Sequence, residues 1–201
     1  MKPVKSDVPY REIQAHFGKT APLGTNTTQI ATTAFVAAAT GAASVPAPII
    51  THLITTSSQA LAADTTTAIT GLTATITPST TAKRVNITVR WNGEGGVDSH
   101  NAVFGITRDG TIIGGPAAAG LRNIGIAIVA QSFGGGLDAG STPESVFYQY
   151  IDSPATTAAV VYNATIRVAT AATLYNQFTV DDIDSNVRER LTSTIILEEI
   201  N

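Results

Sequence analysis

The chain has 201 residues, and only 13% of them are charged, about half the share usual in soluble domains. Its net charge of −3 and its 12 scattered Lys and Arg residues exclude the clustered basic surface that nucleic acid or an anionic membrane requires. Cysteine is absent, which excludes disulfides and thiolate metal sites.

Residues 1–23 show no sustained periodicity and carry three prolines among mixed charges. Within them, a stretch of about two helical turns places Tyr10, Ile13 and Phe17 on one side. The pattern predicts an extended N-terminal docking arm, in which apolar side chains anchor and two charges orient. Its predicted contact residues are Tyr10, Arg11, Glu12, Ile13 and Phe17.

Residues 24–40 predict a helix that is too short to be stable alone. Asn26 and Gln29 have the spacing of a capping box, and Gly41 followed by Pro46 supplies the stop. The wide apolar face has small residues and no charge, which favours packing against copies of the same helix. The alternative is an ordinary amphipathic helix that caps a monomeric domain. The predicted self-contacts are Ile30, Ala34, Phe35 and Ala38.

Residues 41–55 predict an extended connector, because Pro46 and Pro48 exclude a helix and a central strand. No apolar run in the chain approaches the roughly 20 residues that span a bilayer. The first residues also lack the apolar core of a secretion signal. We therefore expect no membrane insertion and synthesis in the cytoplasm.

Residues 56–201 predict one antiparallel β-domain, because short β-like runs alternate with turn residues. The alternation is clearest at 84–91 and 160–168, and Asp109-Gly110 is a strong hairpin turn. The run at 193–200 alternates less cleanly, as expected for a strand buried between its sheet and a neighbouring subunit. The predicted strands are 56–61, 66–70, 74–78, 84–92, 102–108, 112–113, 124–133, 145–152, 160–169, 173–180 and 194–200.

No residue set predicts a metal or cofactor site. The three histidines His16, His52 and His100 lack partners at ligand spacing. Asp181, Asp182 and Asp184 offer oxygen ligands, but ion pairing with the nearby Arg188 and Arg190, or a solvated acidic loop, is favoured over calcium.

Catalytic sets are equally weak. Glu94 and Asp98 could be paired carboxylates for glycoside hydrolysis, but any two acids in a loop have this pattern. The glycine-rich stretches 93–96 and 134–136 predict turns or loop tips. Phe147, Tyr148 and Tyr150 could form a sugar platform, although alternation would send the two tyrosines to one face and Phe147 to the other. Core packing or subunit contact is favoured.

The sequence of the predicted helix is similar to a known motif. Residues 26–36, Asn-Thr-Thr-Gln-Ile-Ala-Thr-Thr-Ala-Phe-Val, closely resemble the N-S-T-x-I-A-T-T-A-F-V segment of tail-fibre and other surface proteins of tailed bacteriophages. The departure is Thr27, where Ser is commoner.

The C-terminal portion also resembles phage β-domains of the jelly-roll or tumour-necrosis-factor-like type. The similar stretches lie at 84–91, 104–114, 150–154, 161–166 and 193–200. The resemblance implies an antiparallel jelly-roll-like β-sandwich, a homotrimer and a place on the virion surface. It also makes the predicted helix a trimer contact.

We expect a non-enzymatic capsid decoration or cement protein, whose arm docks onto the major capsid protein or another virion protein. The alternative is a tail-fibre or receptor-binding tip that recognises a host surface glycan or receptor through loops 93–101, 115–123 or 134–144. An enzyme that degrades surface polysaccharide has little support, because no catalytic set emerges.

Overall fold

The computed structural model describes residues 46–95, 101–117, 120–129, 140–186 and 188–201. Across these ranges the chain is built from β-strands joined by turns and loops, and no helix in them could cross a membrane. The strands are β1 (Ile49–Leu53), β2 (Ser57–Leu61), β3 (Thr66–Ile76), β4 (Arg84–Gly95), β5 (Val103–Arg108), β6 (Thr111–Ile113), β7 (Ala127–Ile128), β8 (Glu144–Asp152), β9 (Val160–Arg167), β10 (Ala172–Asn176) and β11 (Ser193–Ile200).

The strands form two antiparallel sheets, which confirms the all-β, antiparallel part of the prediction. The first sheet has the order β1-β11-β4-β10-β2, and β8 pairs along the other edge of β4. The second sheet has the order β3-β9-β5-β6, and β7 also pairs with β5. The arrangement is that of an all-β sandwich.

The core is built from the inward-facing residues of both sheets. On β4, Val85, Ile87, Val89 and Trp91 are fully buried, while the residues between them face outward. Trp91 of the first sheet lies 5.1 Å from Phe104 of the second, measured between ring centroids. Burying each of the aliphatic side chains Val85, Ile87 and Val89 stabilises the fold by about 1.5–3 kcal/mol relative to leaving it exposed.

The first described strand lies within the predicted connector, residues 41–55. Ile49–Leu53, which the sequence assigned to the connector, forms β1 and pairs with β11 from Ile49↔Leu197 to Leu53↔Ser193. The path is extended, as Pro46 and Pro48 require. β1 lies at the edge of the first sheet, where the missing N–H groups of the two prolines break no ladder.

Glycines explain two further differences from the prediction. The run at 66–70 and the first three residues of the run at 74–78 belong to the single strand β3, interrupted by a register shift near Gly71, whose φ is +84°. Gly93 and Gly95, predicted as turn residues, continue β4. A Cβ at Gly93 would lie 2.1 Å from the carbonyl oxygen of Tyr175, so the absent side chain lets β10 pair there.

Two other local predictions have clear outcomes. The turn at Asp109-Gly110 is confirmed, with φ values of +47° and +82°. The expectation of poor alternation in β11 is wrong, because its residues alternate strictly between buried and half-buried. The alternation is hard to recognise in the sequence because one inward position carries a carboxylate, Glu199, and two outward positions carry isoleucines, Ile196 and Ile200.

A polar cluster joins the two sheets at one end of the core. Arg108 of β5 donates to both carboxylate oxygens of Asp152 on β8, at 3.1 and 3.0 Å. The hydroxyl of Tyr162 on β9 donates to the same carboxylate at 2.7 Å. Burial, and then this hydrogen bond, raise the pKa of Tyr162. Asp152 therefore fastens the second sheet to the first.

We predict that Asp152→Asn lowers the free energy of unfolding by about 1.5–3 kcal/mol, because Arg108 loses a charged acceptor that is largely buried. The control Tyr162→Phe removes only one hydrogen bond and should cost about 1 kcal/mol. Urea denaturation measures both. Equal losses in the two variants would contradict a stabilising role for the charge on Asp152.

Candidate functional site

The predicted arm and helix cannot be placed. Residues 1–45 lie outside the described part of the chain, and with them the two sets of predicted contacts. These sets are Tyr10, Arg11, Glu12, Ile13 and Phe17 of the arm, and Ile30, Ala34, Phe35 and Ala38 of the helix. The described residues instead present two candidate surfaces: the outer face of the first sheet and a long loop at its end.

The outer face of the first sheet carries uncovered apolar side chains. Phe147 and Ile151 on β8 are 68% and 47% exposed, and Ile50 on β1 is 48% exposed. The strand register places them in one surface: the row Ile50, Ile196, Thr88, Gln149 runs across the sheet from β1 to β8. Phe147 lies opposite Arg90 in the next outward row.

Few charges accompany these side chains. Glu198 accepts a hydrogen bond from Asn86 Nδ2 at 2.8 Å, and Arg90 reaches the carbonyl oxygen of Thr192 at 3.4 Å. The exposed apolar side chains therefore lie among polar ones such as Thr88 and Gln149, with charges of both signs at the margins. Mixed surfaces of this kind, with an exposed aromatic residue, are common in protein–protein contacts.

The outer face of the second sheet differs in character. Its outward row from β3 to β6 contains Thr73, Asn163, Thr107 and Ile112. Asn163 Nδ2 lies 3.5 Å from Thr107 Oγ1, and Thr73 donates to the carbonyl oxygen of Tyr162. Local hydrogen bonds satisfy the polar side chains of this row, and Ile112, Ile128 and Val161 are exposed on the same face. The first sheet is the candidate for self-association because its face also presents a large exposed aromatic ring, Phe147.

The second candidate surface is the loop Phe178–Arg190, of which all but Val187 is described. Its ends meet, because Leu191 N donates to the carbonyl oxygen of Gln177 at 3.0 Å. Compact loops of this length with closed ends are Ω-loops, which frequently carry function. Val180 and Ile183 are exposed along it.

Buried polar groups hold this loop on the sheet. Glu94 of β4 is 6% exposed, and its carboxylate accepts a hydrogen bond from Val180 N at 2.6 Å. Asp181 N donates to Gly140 O at 2.9 Å. Glu94 is therefore a structural acceptor beneath the loop, and its suggested partner Asp98 lies outside the described residues.

A second set of buried polar residues fixes the base of the loop. Trp91 Nε1 donates to Asn176 Oδ1 at 2.8 Å, and Asn92 N donates to Ser193 Oγ at 2.9 Å. Gln177, fully buried at a φ of +69°, contacts Ser193 Oγ at 2.8 Å. A non-glycine residue in this conformation persists only where its surroundings hold it, so the start of the loop is firmly anchored.

The acidic residues of the loop form ion pairs. Arg188 lies 2.8 Å from Asp181, and Arg190 lies 2.6 Å from Asp182. Arg190 also lies 5.6 Å from the ring centroid of Phe178. The ion-pairing interpretation is confirmed for these two aspartates. No group of three or more potential metal ligands occurs among the described residues.

The predicted aromatic platform divides between two faces. Tyr148 is buried and donates to the carbonyl oxygen of Gly105 across the sandwich at 2.9 Å, and Tyr150 packs against the core. Phe147 points to the opposite face. Core packing of Tyr148 is confirmed, and these residues do not present a common ring surface.

An apolar cavity lies inside the sandwich between residues such as Leu61, Phe104 and Leu174, and it has room for about one water molecule. Because its lining is almost wholly apolar, it has neither the room nor the polar groups to orient a small-molecule ligand.

Comparison of the whole chain with protein-family models, with curated proteins and with solved structures finds no match.

We predict that Glu94→Ala opens the loop, because Val180 N loses its buried acceptor, at a cost of about 1.5–3 kcal/mol. Trypsin should then cleave after Arg188 and Arg190 about 10- to 150-fold faster, provided that loop opening is rapid relative to cleavage. The control Asp184→Ala, which removes an exposed carboxylate from the same loop, should leave the rate unchanged. Equal rates in both variants would contradict the anchoring role of Glu94.

Proposed function

We propose that the protein is a homotrimeric structural component of a tailed-bacteriophage virion, a capsid decoration or cement protein without enzymatic activity. In this proposal residues 1–23 dock onto the major capsid protein or another virion protein, and the β-domain is displayed outward. The observation that carries it is the set of exposed apolar side chains on the outer face of the first sheet, Ile50, Phe147 and Ile151, which suits burial against further copies of the chain.

The pairing pattern supports the finer assignment to a jelly-roll. β1 pairs with β11, β3 with β9, β4 with β8, and β5 with β7. A long antiparallel hairpin that is rolled into two sheets produces these nested pairs, with the outermost strands of the hairpin being first and last in the chain. The same topology underlies the tumour-necrosis-factor-like domains that the C-terminal portion resembles.

The phage context rests on sequence. The segment 26–36 resembles a motif of phage surface proteins. Attachment through three arms per trimer would add weak contacts into stable binding by avidity. The same motif is commoner in fibres, which favours a receptor-binding tip as the second candidate.

We predict that Phe147→Lys weakens the trimer, because it places an ammonium beside Arg90 in a surface that subunits would bury. An unpaired charge in an interface costs roughly 2–5 kcal/mol. Sedimentation velocity should show smaller species at concentrations where the unaltered protein is trimeric. The matched control is Ile112→Lys, at a position 51% exposed on the outer face of the second sheet, which should leave the trimer intact. The reverse result would assign self-association to the second sheet.

Deleting residues 1–23 should leave a folded trimer that no longer attaches to virions, since the arm supplies docking and not folding. Sedimentation reports the trimer, and electron microscopy of particles mixed with the protein reports attachment. A truncated protein that loses the trimer would refute a purely docking arm. If the full chain instead blocks phage adsorption to cells, the receptor-binding candidate is the correct one.

A further inference from the structure

Three side chains with complementary chemistry meet where β4 begins and β11 ends. The last register pair of these strands is Arg84↔Ile200, so Lys83 and Asn201 lie directly opposite each other one step beyond it. The ammonium of Lys83 donates a hydrogen bond to the side-chain carbonyl oxygen of Asn201. It also lies 3.8 Å from Oε1 of Glu199.

The position of Asn201 is fixed by hydrogen bonds to its main chain and by the strand pairing that precedes it. Its main-chain carbonyl oxygen accepts hydrogen bonds from Nε of Arg84, at 3.0 Å, and from Nη2 of the same guanidinium. The strand pairing that ends at Ile200 fixes the chain immediately before it. The carboxamide is therefore kept beside the lysine.

Glu199 is a buried carboxylate with a defined orientation. Its side chain is only 3% exposed, and its two oxygens accept hydrogen bonds from Ser79, at 2.6 Å from Oγ and 2.5 Å from N. These bonds lower the pKa of Glu199. The group is thus an ionised acceptor within ion-pair distance of the lysine nitrogen.

We propose that Lys83 and Asn201 react to form an intramolecular isopeptide bond, with Glu199 carrying protons between the two. A lysine amine is a nucleophile once it has lost a proton, and holding it against its electrophile supplies the proximity that a slow amide exchange requires. The reaction occurs once per chain, so rapid turnover is not needed.

The step balances without a co-reactant. Lys83 first loses a proton to solvent, and the neutral amine attacks Cγ of Asn201 to form the new C–N bond. The attacking nitrogen, now positively charged, gives its extra proton to the carboxylate of Glu199, which passes it to the departing amide nitrogen as the Cγ–Nδ2 bond breaks. Ammonia leaves through the partly exposed edge and takes a proton from solvent, so the carboxylate and the proton count are both restored.

The bond would be a covalent link between the start of β4 and the end of β11. The sequence has no cysteine, so no disulfide can tie its strands together. A link between residues 83 and 201 would close a loop that contains β4 to β11, which limits the unfolded chain as a disulfide does. An amide is also unaffected by the reducing conditions of a cytoplasm.

The test is the mass of the purified full-length chain, measured intact under denaturing conditions after several days near neutral pH. We expect a loss equal to one ammonia molecule, and a protease digest with a branched peptide that joins the segment around Lys83 to the segment ending in Asn201. An unchanged mass would overturn the proposal. So would the small mass gain of simple deamidation, or an ammonia loss without a branched peptide.

Three variants distinguish the proposed reaction from an effect of the same residues on folding. Lys83→Arg keeps the positive charge and cannot form the amide, so it should keep the full mass while its circular dichroism shows a folded β-protein. Asn201→Ala removes the electrophile and should also keep the full mass. Glu199→Gln should slow the loss of ammonia at least tenfold. A branched peptide that forms at the same rate in Glu199→Gln would overturn the role assigned to Glu199.

Discussion

β4 is paired along both edges, and this double pairing sets the geometry of the whole domain. Its first seven residues pair with β11, its last three pair with β10, and β8 follows the opposite edge. Every inward residue from Val85 to Trp91 is fully buried. Because side chains alternate with a period of two, a shift of one residue would expose this row and bury Arg84 and Arg90. The register of the first sheet, and with it the composition of its outer face, therefore follows from one strand.

Sequence predicted the parts of the fold that have a local signal. β4 and β9 alternate cleanly, and Asp109-Gly110 has the conformation that its residue types favour. β1 was missed because Pro46 and Pro48 mark an extended path but not its pairing. β11, its partner strand, lies about 140 residues further along the chain. The end of β4 was misread because glycine is typical of turns, whereas Gly93 is required here by the close approach of the Tyr175 backbone.

The candidate surfaces depend on contacts that no local pattern encodes. Phe147, Ile50 and Ile196 belong to three different strands, and only their register places them on one face. The low overall charge does not say which sheet would supply a subunit contact. Glu94 was considered for catalysis because Asp98, a second carboxylate, follows it closely in the sequence. Its burial beneath the 178–190 loop follows from the extension of β4 through Gly95.

Glu199 interrupts the apolar alternation by which β11 would be recognised in the sequence, and it also stabilises this strand. An ionised carboxylate is tolerated inside a protein only where donors compensate its lost hydration, and Ser79 supplies two of them. Those bonds lower the pKa of Glu199, so their contribution to stability is present at neutral pH and is lost as the pH falls through the lowered value. Ser79 lies in the turn between β3 and β4, so this carboxylate fastens that turn to β11. The same contacts keep Glu199 beside Lys83, at the end of the ladder between β4 and β11.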